Sequence, residues 1–129
     1  MIEIGKDAFA MLHPQVKKNL SDFGIKVPTP AQEITIEPIL DGKNALLISP
    51  TGMGKTEAVV LPLMSRLLSK AKNAMGIRVI YVTPLRALNR DMVDRLREWG
   101  DKLSLDVRVR HGDTKRAERA RLSRNPPDI

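Results

Sequence analysis

SPTGMGKT, residues 49–56, is the stretch on which the reading of this chain turns. It lies between a compact apolar run, NALLIS at 44–49, and a long helical pattern that starts at Lys55. A strand–loop–helix junction of this kind suits an anion. Glycine has no Cβ, so the chain can curl until successive backbone N–H groups converge on one point. Gly52 and Gly54 supply that freedom, and the helix that follows adds the positive end of its dipole. The pattern TG-x-GKT therefore predicts a phosphate cradle, with Lys55 reaching the β and γ phosphates of a nucleotide and the Thr56 hydroxyl on Mg²⁺. The general form of such a loop begins with glycine five residues before Gly54, where this chain has Ser49. A generic glycine-bearing turn is the alternative for a bare GKT, and the flanking strand and helix patterns weigh against it.

Working outward, the elements alternate. PQVKKNLSDF (14–23) predicts a short helix with Val16, Leu20 and Phe23 on one face and Gly24 as its stop. After the turn-rich IKVPTP, Thr29 and Pro30 open a second helix as N-cap and first position, running to about Leu40 and ending at Asp41-Gly42. NALLIS has the profile of a strand buried on both faces. The helix after the glycine loop spans about Lys55 to Ala71, with Ala58, Val59, Leu61, Leu63, Met64, Leu67 and Leu68 around much of its circumference and Pro62 expected to kink it. IRVIYV (77–82) predicts a second buried strand. Residues 85–99 predict an amphipathic helix with Leu88, Met92, Val93, Leu96 and Trp99 inward and Gly100 closing it. DVRVRH (106–111) alternates as a third strand, and 113–124 predicts a basic helix. Strand–helix alternation of this kind predicts an α/β fold with a parallel sheet. Ligands in such folds gather at the carboxyl ends of the strands, which here carry SPTGMGKT, TPLR and HGDT. No repeat, low-complexity tract or Gly/Ser linker marks a boundary inside the chain.

The 129 residues, 42% hydrophobic and 29% charged, are those of one domain or part of one. No apolar run reaches the ~18 residues of a membrane span, and MIEIGKDAF lacks a signal-peptide core, so a soluble, cytoplasmic protein with no membrane partner is the expectation. With no cysteine, disulfides, thiolate metal sites and cysteine nucleophiles are excluded. The net charge of +7 is uneven: residues 1–71 carry 8 Lys/Arg against 7 Asp/Glu, and residues 72–129 carry 14 against 8, with 11 of the 14 being Arg. Salt bridges at helical spacing absorb part of this excess, through Arg90 and Asp94, Asp91 and Arg95, and Arg97 and Asp101. The tail from Arg108 to Arg124 has fewer acids, and its planar guanidinium forks suit a polyanion, nucleic acid first. With four aromatics in the chain, such contact must be chiefly to phosphates rather than stacked bases. Trp99 and the Leu88/Met92/Leu96 stripe read as core, and His13 and His111 lack metal-ligand spacing.

Gln32 has two readings. Thr29-x-x-Gln32 is a capping box, in which the amide returns to the N-cap N–H. Spacing alone favours the cap, though an amide can also read adenine, accepting from N6 and donating to N7. PTPAQ, SPTGMGKT, TPLRALNRD and HGDT, taken in order, resemble the Q motif and motifs I, Ia and Ic of the first motor domain of superfamily 2 helicases. TPLRALNRD and RHGDTKRAERARLSRNPPDI look most like the large helicase-related (Lhr-type) proteins of archaea and bacteria. The resemblance spans about Phe23 to Ile129.

That resemblance implies a three-layer P-loop NTPase of RecA-like type, residues 1–129 being the N-terminal part of RecA-like domain 1, with the acidic DExH motif lying after Ile129. It implies ATP and Mg²⁺ as cofactors, held by Ser49, Thr51, Gly52, Met53, Gly54, Lys55, Thr56 and Glu57, with Lys55 and Thr56 catalytic and Gln32 on adenine. Single-stranded DNA or RNA would meet Pro84, Leu85, Arg86, Gly112 and Thr114 through backbone phosphates, Asp113 being left as a helix cap. A second RecA-like domain would complete the hydrolytic site, so turnover by these residues alone is expected at background. The rival class is a P-loop phosphotransferase acting on a small metabolite. It would need an acceptor pocket and lid after the loop, and neither TPLRALNRD nor the basic tail suits one. A third reading is a nucleic-acid-binding module whose loop has lost nucleotide.

Overall fold

The computed structural model describes residues 7–70, 76–84 and 90–129, and the chain packs as two units, Met1–Lys72 and Asn73–Ile129. No linker composition marks the divide; two packing units can separate without one.

In the first unit a 3-10 turn (Ala8–Met11) leads into α1 (Pro14–Asn19), and a further 3-10 turn (Leu20–Phe23) ends on Gly24 at φ 71°. The expected helix over 14–23 is thus a short α-helix that tightens before its glycine stop. α2 (Pro30–Leu40) starts and ends where its caps predict. Thr29 and Gln32 form both halves of the capping box, and Asp41 is the C-cap. α3 (Lys55–Ser69) contains Pro62 in its interior and buries Ala58, Val60, Leu61, Met64 and Leu67. Together with Val16, Ala31 and Ile36 these side chains make the unit's core. Two long-range polar ties fix the helices: Arg66 donates to the Ile39 carbonyl at the end of α2 (2.9 Å), and the His13 N–H donates to the Ser65 hydroxyl (3.1 Å).

In the second unit α4 (Arg90–Leu103) packs Val93, Leu96, Trp99 and Leu103 inward, with Trp99 1% exposed. The Leu88 end of the expected helix lies outside the described residues. Gly100 does not close this helix as the sequence suggests; it is buried within it. A Cβ at Gly100 would lie 2.6 Å from Val107 Cγ2 and 2.7 Å from the Leu105 carbonyl, so the glycine permits close approach of the returning chain. The helix stops at a left-handed residue, Ser104 at φ 55°, where the Leu105 N–H reaches back to the Gly100 carbonyl (2.8 Å). α5 (Arg116–Arg124) buries none of its residues.

The sheet is where sequence and structure differ. Residues 44–49, 77–82 and 106–111 are not helical and carry no strand ladder among the described residues. Leu46 and Ile48 are 87% and 84% exposed, and Ile80 and Val82 are 76% and 86% exposed. Strand status requires a paired neighbour as well as an apolar run, and for 44–49 no backbone bond to another segment occurs among the described residues. In the second unit the pairing is partial. The Asp128 carbonyl accepts from the N–H groups of Arg78 and Val79 (both 3.1 Å). Ile129 N–H donates to the Asp106 carbonyl (3.1 Å), and Arg108 N–H returns to the Ile129 carbonyl (3.0 Å). Asp128 strengthens the junction, because its carboxylate takes Arg78 Nε (3.2 Å) and the Asp106 N–H (2.9 Å). A groove of about 710 Å³ lies beside this junction, lined by Ile80, Val82, Val109 and Leu122 among others. No helix among the described residues is long and apolar enough to cross a membrane.

Candidate functional site

The glycine loop reaches α3 through two residues in the left-handed region, Gly52 at φ 80° and Gly54 at φ 68°, the second being the helix N-cap. L side chains with a Cβ avoid that region, so both positions call for glycine. The Gly54 carbonyl begins the helix by accepting from the Ala58 N–H (2.9 Å). No side chain caps α3, which leaves its first N–H groups and dipole turned to the loop. Lys55 folds back across that loop: Nζ donates to the Ser49 carbonyl (2.6 Å) and to the Pro50 carbonyl (2.7 Å). An ammonium has three donors, so one remains for a ligand. Thr51 and Gly52 are exposed, and Ser49, Met53, Gly54, Lys55, Thr56 and Glu57 are half-buried, an edge open to solvent.

The capping box is also a brace for this loop. Thr29 N–H donates to Gln32 Oε1 (3.0 Å) and Gln32 N–H to Thr29 Oγ1 (3.4 Å). The same two side chains then reach forward, Thr29 Oγ1 donating to the Met53 carbonyl (2.9 Å) and Gln32 Nε2 to the Gly54 carbonyl (3.4 Å). Gln32 is 3% exposed, with its amide oxygen and nitrogen both engaged. The capping reading of Gln32 therefore holds here, and the amide carries a loop contact that sequence spacing did not suggest. Thr29, read from the sequence only as a cap, also braces the loop through the Met53 carbonyl. The signal was present, since the box lies directly before a loop that needs fixing.

In the second unit the HGDT turn is built differently from the sequence expectation. Thr114 is buried, at 7% exposure. Its hydroxyl accepts from the His111 N–H (2.9 Å), and its own N–H donates to the His111 carbonyl (3.1 Å). That side chain thus closes the turn rather than standing free to meet a ligand. Asp113 is exposed and is not the cap of α5; that position is Lys115, without a side-chain cap bond. The hydroxyl at 114 already closes the turn, so the helix starts later than an Asp cap would place it. Gly112 is exposed, as is Pro84. Leu85 and Arg86 lie outside the described residues. Arg119, unremarked in the sequence, holds this turn with Nε on the Thr114 carbonyl (2.8 Å) and a terminal nitrogen on the Gly112 carbonyl (2.6 Å). On α4, Arg97 stands 3.9 Å from Asp94.

Comparison with known proteins agrees with these features. The family described as DEAD/DEAH box helicase matches residues 29–129. The chain is 36% identical over 96% of its length to an ATP-dependent helicase Lhr-Core of Sulfolobus acidocaldarius, covering 15% of that protein. It is 34% identical over 97% of its length to mouse ATP-dependent RNA helicase DDX54, covering 14% of it. Among solved structures, a hypothetical ATP-dependent RNA helicase from Sulfolobus tokodaii superposes with a TM-score of 0.68 at 27% identity, over 86% of this chain and 31% of that one. The chain thus spans about a seventh of the length of these curated relatives. With the braced glycine loop opening α3 and a family match running from Thr29 to Ile129, the chain belongs to the DEAD/DEAH box helicases.

Proposed function

We propose that this chain is the ATP-binding and nucleic-acid-binding portion of an ATP-dependent helicase or translocase. The observation that carries the reading is the loop at Gly52–Lys55: two left-handed glycines, an uncapped helix N-terminus and a lysine ammonium already turned onto the loop. These residues fit a nucleotide's phosphates. The backbone N–H groups from Thr51 to Thr56 would line the cradle, with Ser49 at its start and Met53 and Glu57 on its flanks. Lys55 would spend its free donor on phosphate, and the Thr56 hydroxyl would hold Mg²⁺. Mg²⁺, when bound, neutralises charge that develops on the phosphoryl oxygens. Gln32 uses one Nε2 hydrogen on the Gly54 carbonyl and one Oε1 lone pair on the Thr29 N–H, so its second hydrogen and second lone pair would serve adenine while the capping box stays closed. Soluble, cytoplasmic placement goes with this reading.

A single strand of DNA or RNA is the proposed second ligand, met through phosphates at Pro84–Arg86, at the Gly112–Thr114 turn and along the basic face of α5. Hydrolysis would draw on a DExH motif and a second RecA-like domain in a longer protein. The proposed fold is the RecA-like three-layer domain with a parallel sheet. The bonds that link 78–79, 106–108 and 128–129 support it, since Ile129 donates to Asp106 and accepts from Arg108 in the alternation of a parallel pair.

The test is a titration of the chain with a fluorescent ATP analogue and Mg²⁺. Lys55→Ala removes a charge-assisted contact of about 1.5–3 kcal/mol, so affinity is expected to fall about 10- to 150-fold. Binding unchanged by this substitution would remove the site assignment. A small metabolite that stimulates turnover by the parent protein, where polynucleotide does not, would favour a phosphotransferase instead.

A further inference from the structure

We infer that Arg119 is a positioning residue for nucleic-acid contact, aiming the 111–115 turn at a phosphodiester backbone without touching phosphate itself. This rests on the proposed nucleic-acid function. The guanidinium of Arg119 places Nε on the Thr114 carbonyl (2.8 Å) and a terminal nitrogen on the Gly112 carbonyl (2.6 Å). Two carbonyls two residues apart are thus held by one rigid planar fork. In a trans peptide the N–H points opposite to the carbonyl of the same unit, and no cis bond occurs among the described residues. With the Gly112 and Thr114 carbonyls turned to Arg119, the N–H groups of Asp113 and Lys115 face away from it. Both residues are exposed, and neither N–H has a hydrogen-bond acceptor among the described residues. Two preset donors on a solvent-facing turn suit phosphate oxygens, and they would bind them without regard to base. Thr114, whose hydroxyl accepts from the His111 N–H, locks the same turn from inside.

Charge and geometry are separated by two variants of the full chain, Arg119→Lys and Arg119→Gln, titrated with fluorescein-labelled oligothymidylate and oligouridylate over a range of salt. Lysine keeps the charge but cannot fork two carbonyls. Both variants are therefore expected to bind about tenfold more weakly than wild type. The slope of log affinity against log salt stays at the wild-type value, because the lost contacts are neutral N–H donors and no cation that neutralises phosphate is removed. Fluorescent-nucleotide affinity stays unchanged. Amide exchange at His111 and Thr114 becomes faster in both variants. Arg119→Lys that binds like wild type, a shallower salt slope in Arg119→Gln, or weaker binding without faster exchange would each overturn the assignment. A wild-type chain that binds neither oligonucleotide would overturn the proposed nucleic-acid function instead. The exchange rates at His111 and Thr114 would then decide the Arg119 assignment alone, faster supporting it and unchanged rejecting it.

Discussion

At the scale of single residues, Gly52 and Gly54 share a backbone region but not a neighbourhood. A Cβ at Gly52 would meet nothing within 4 Å, whereas one at Gly54 would lie 2.6 Å from Gln32 Nε2. Gln32 cannot step aside freely, because its other end is bonded to the Thr29 N–H and it is buried. Gly52→Ala should therefore cost only the left-handed penalty, about 1–2 kcal/mol. Gly54→Ala should cost that and a displaced Gln32 besides, and should also weaken fluorescent-nucleotide binding. Chemical denaturation of the two variants checks the order; equal losses would mean that the Gln32 brace does not constrain the loop. Sequence spacing made the glycines, Lys55 and the capping box legible. It could not show that the capping residues reach Met53 and Gly54, because that contact joins positions 22 to 24 apart in the chain.

At the scale of the element, α4 shows how one residue type can carry two meanings. Glycine past an amphipathic pattern predicts a helix stop, yet Gly100 is inside the helix and the stop falls on Ser104 at φ 55°. The glycine is used where the chain returns through Val107 and Leu105, a tertiary need that no local rule reveals. Gly100→Ala should gain about 1 kcal/mol of helix propensity but lose about 1–3 kcal/mol to overpacking, for a net destabilisation. Ser104→Gly should do the reverse, relieving a left-handed serine and adding about 1 kcal/mol. Trp99, the only tryptophan and 1% exposed, reports both through its fluorescence during denaturation. Stabilisation by Gly100→Ala would show that the Val107 contact yields easily.

At the scale of the molecule, the sequence read the helices well because their apolar faces and caps are local. α1, α2, α3 and α5 fall within the expected spans, while Ile80 and Val82, the core of an expected strand, are exposed. A strand's burial and ladder come from its neighbours, so an apolar run states what must be covered without supplying the cover. Charge, by contrast, was legible throughout, and it carries a final quantitative expectation. Lys115, Arg116, Arg121 and Arg124 are exposed in and beside α5, whereas Arg119 is committed to the turn. If those four exposed cations each neutralise one phosphate of a single strand, log affinity should fall against log salt with a slope of about −3. Arg121→Gln should then flatten that slope by about 0.7 and lower affinity equally for every base sequence. Titration of labelled homopolymers at several salt concentrations measures both effects. A slope near zero would move the contact from phosphates to bases, which the scarcity of aromatic side chains in this chain argues against.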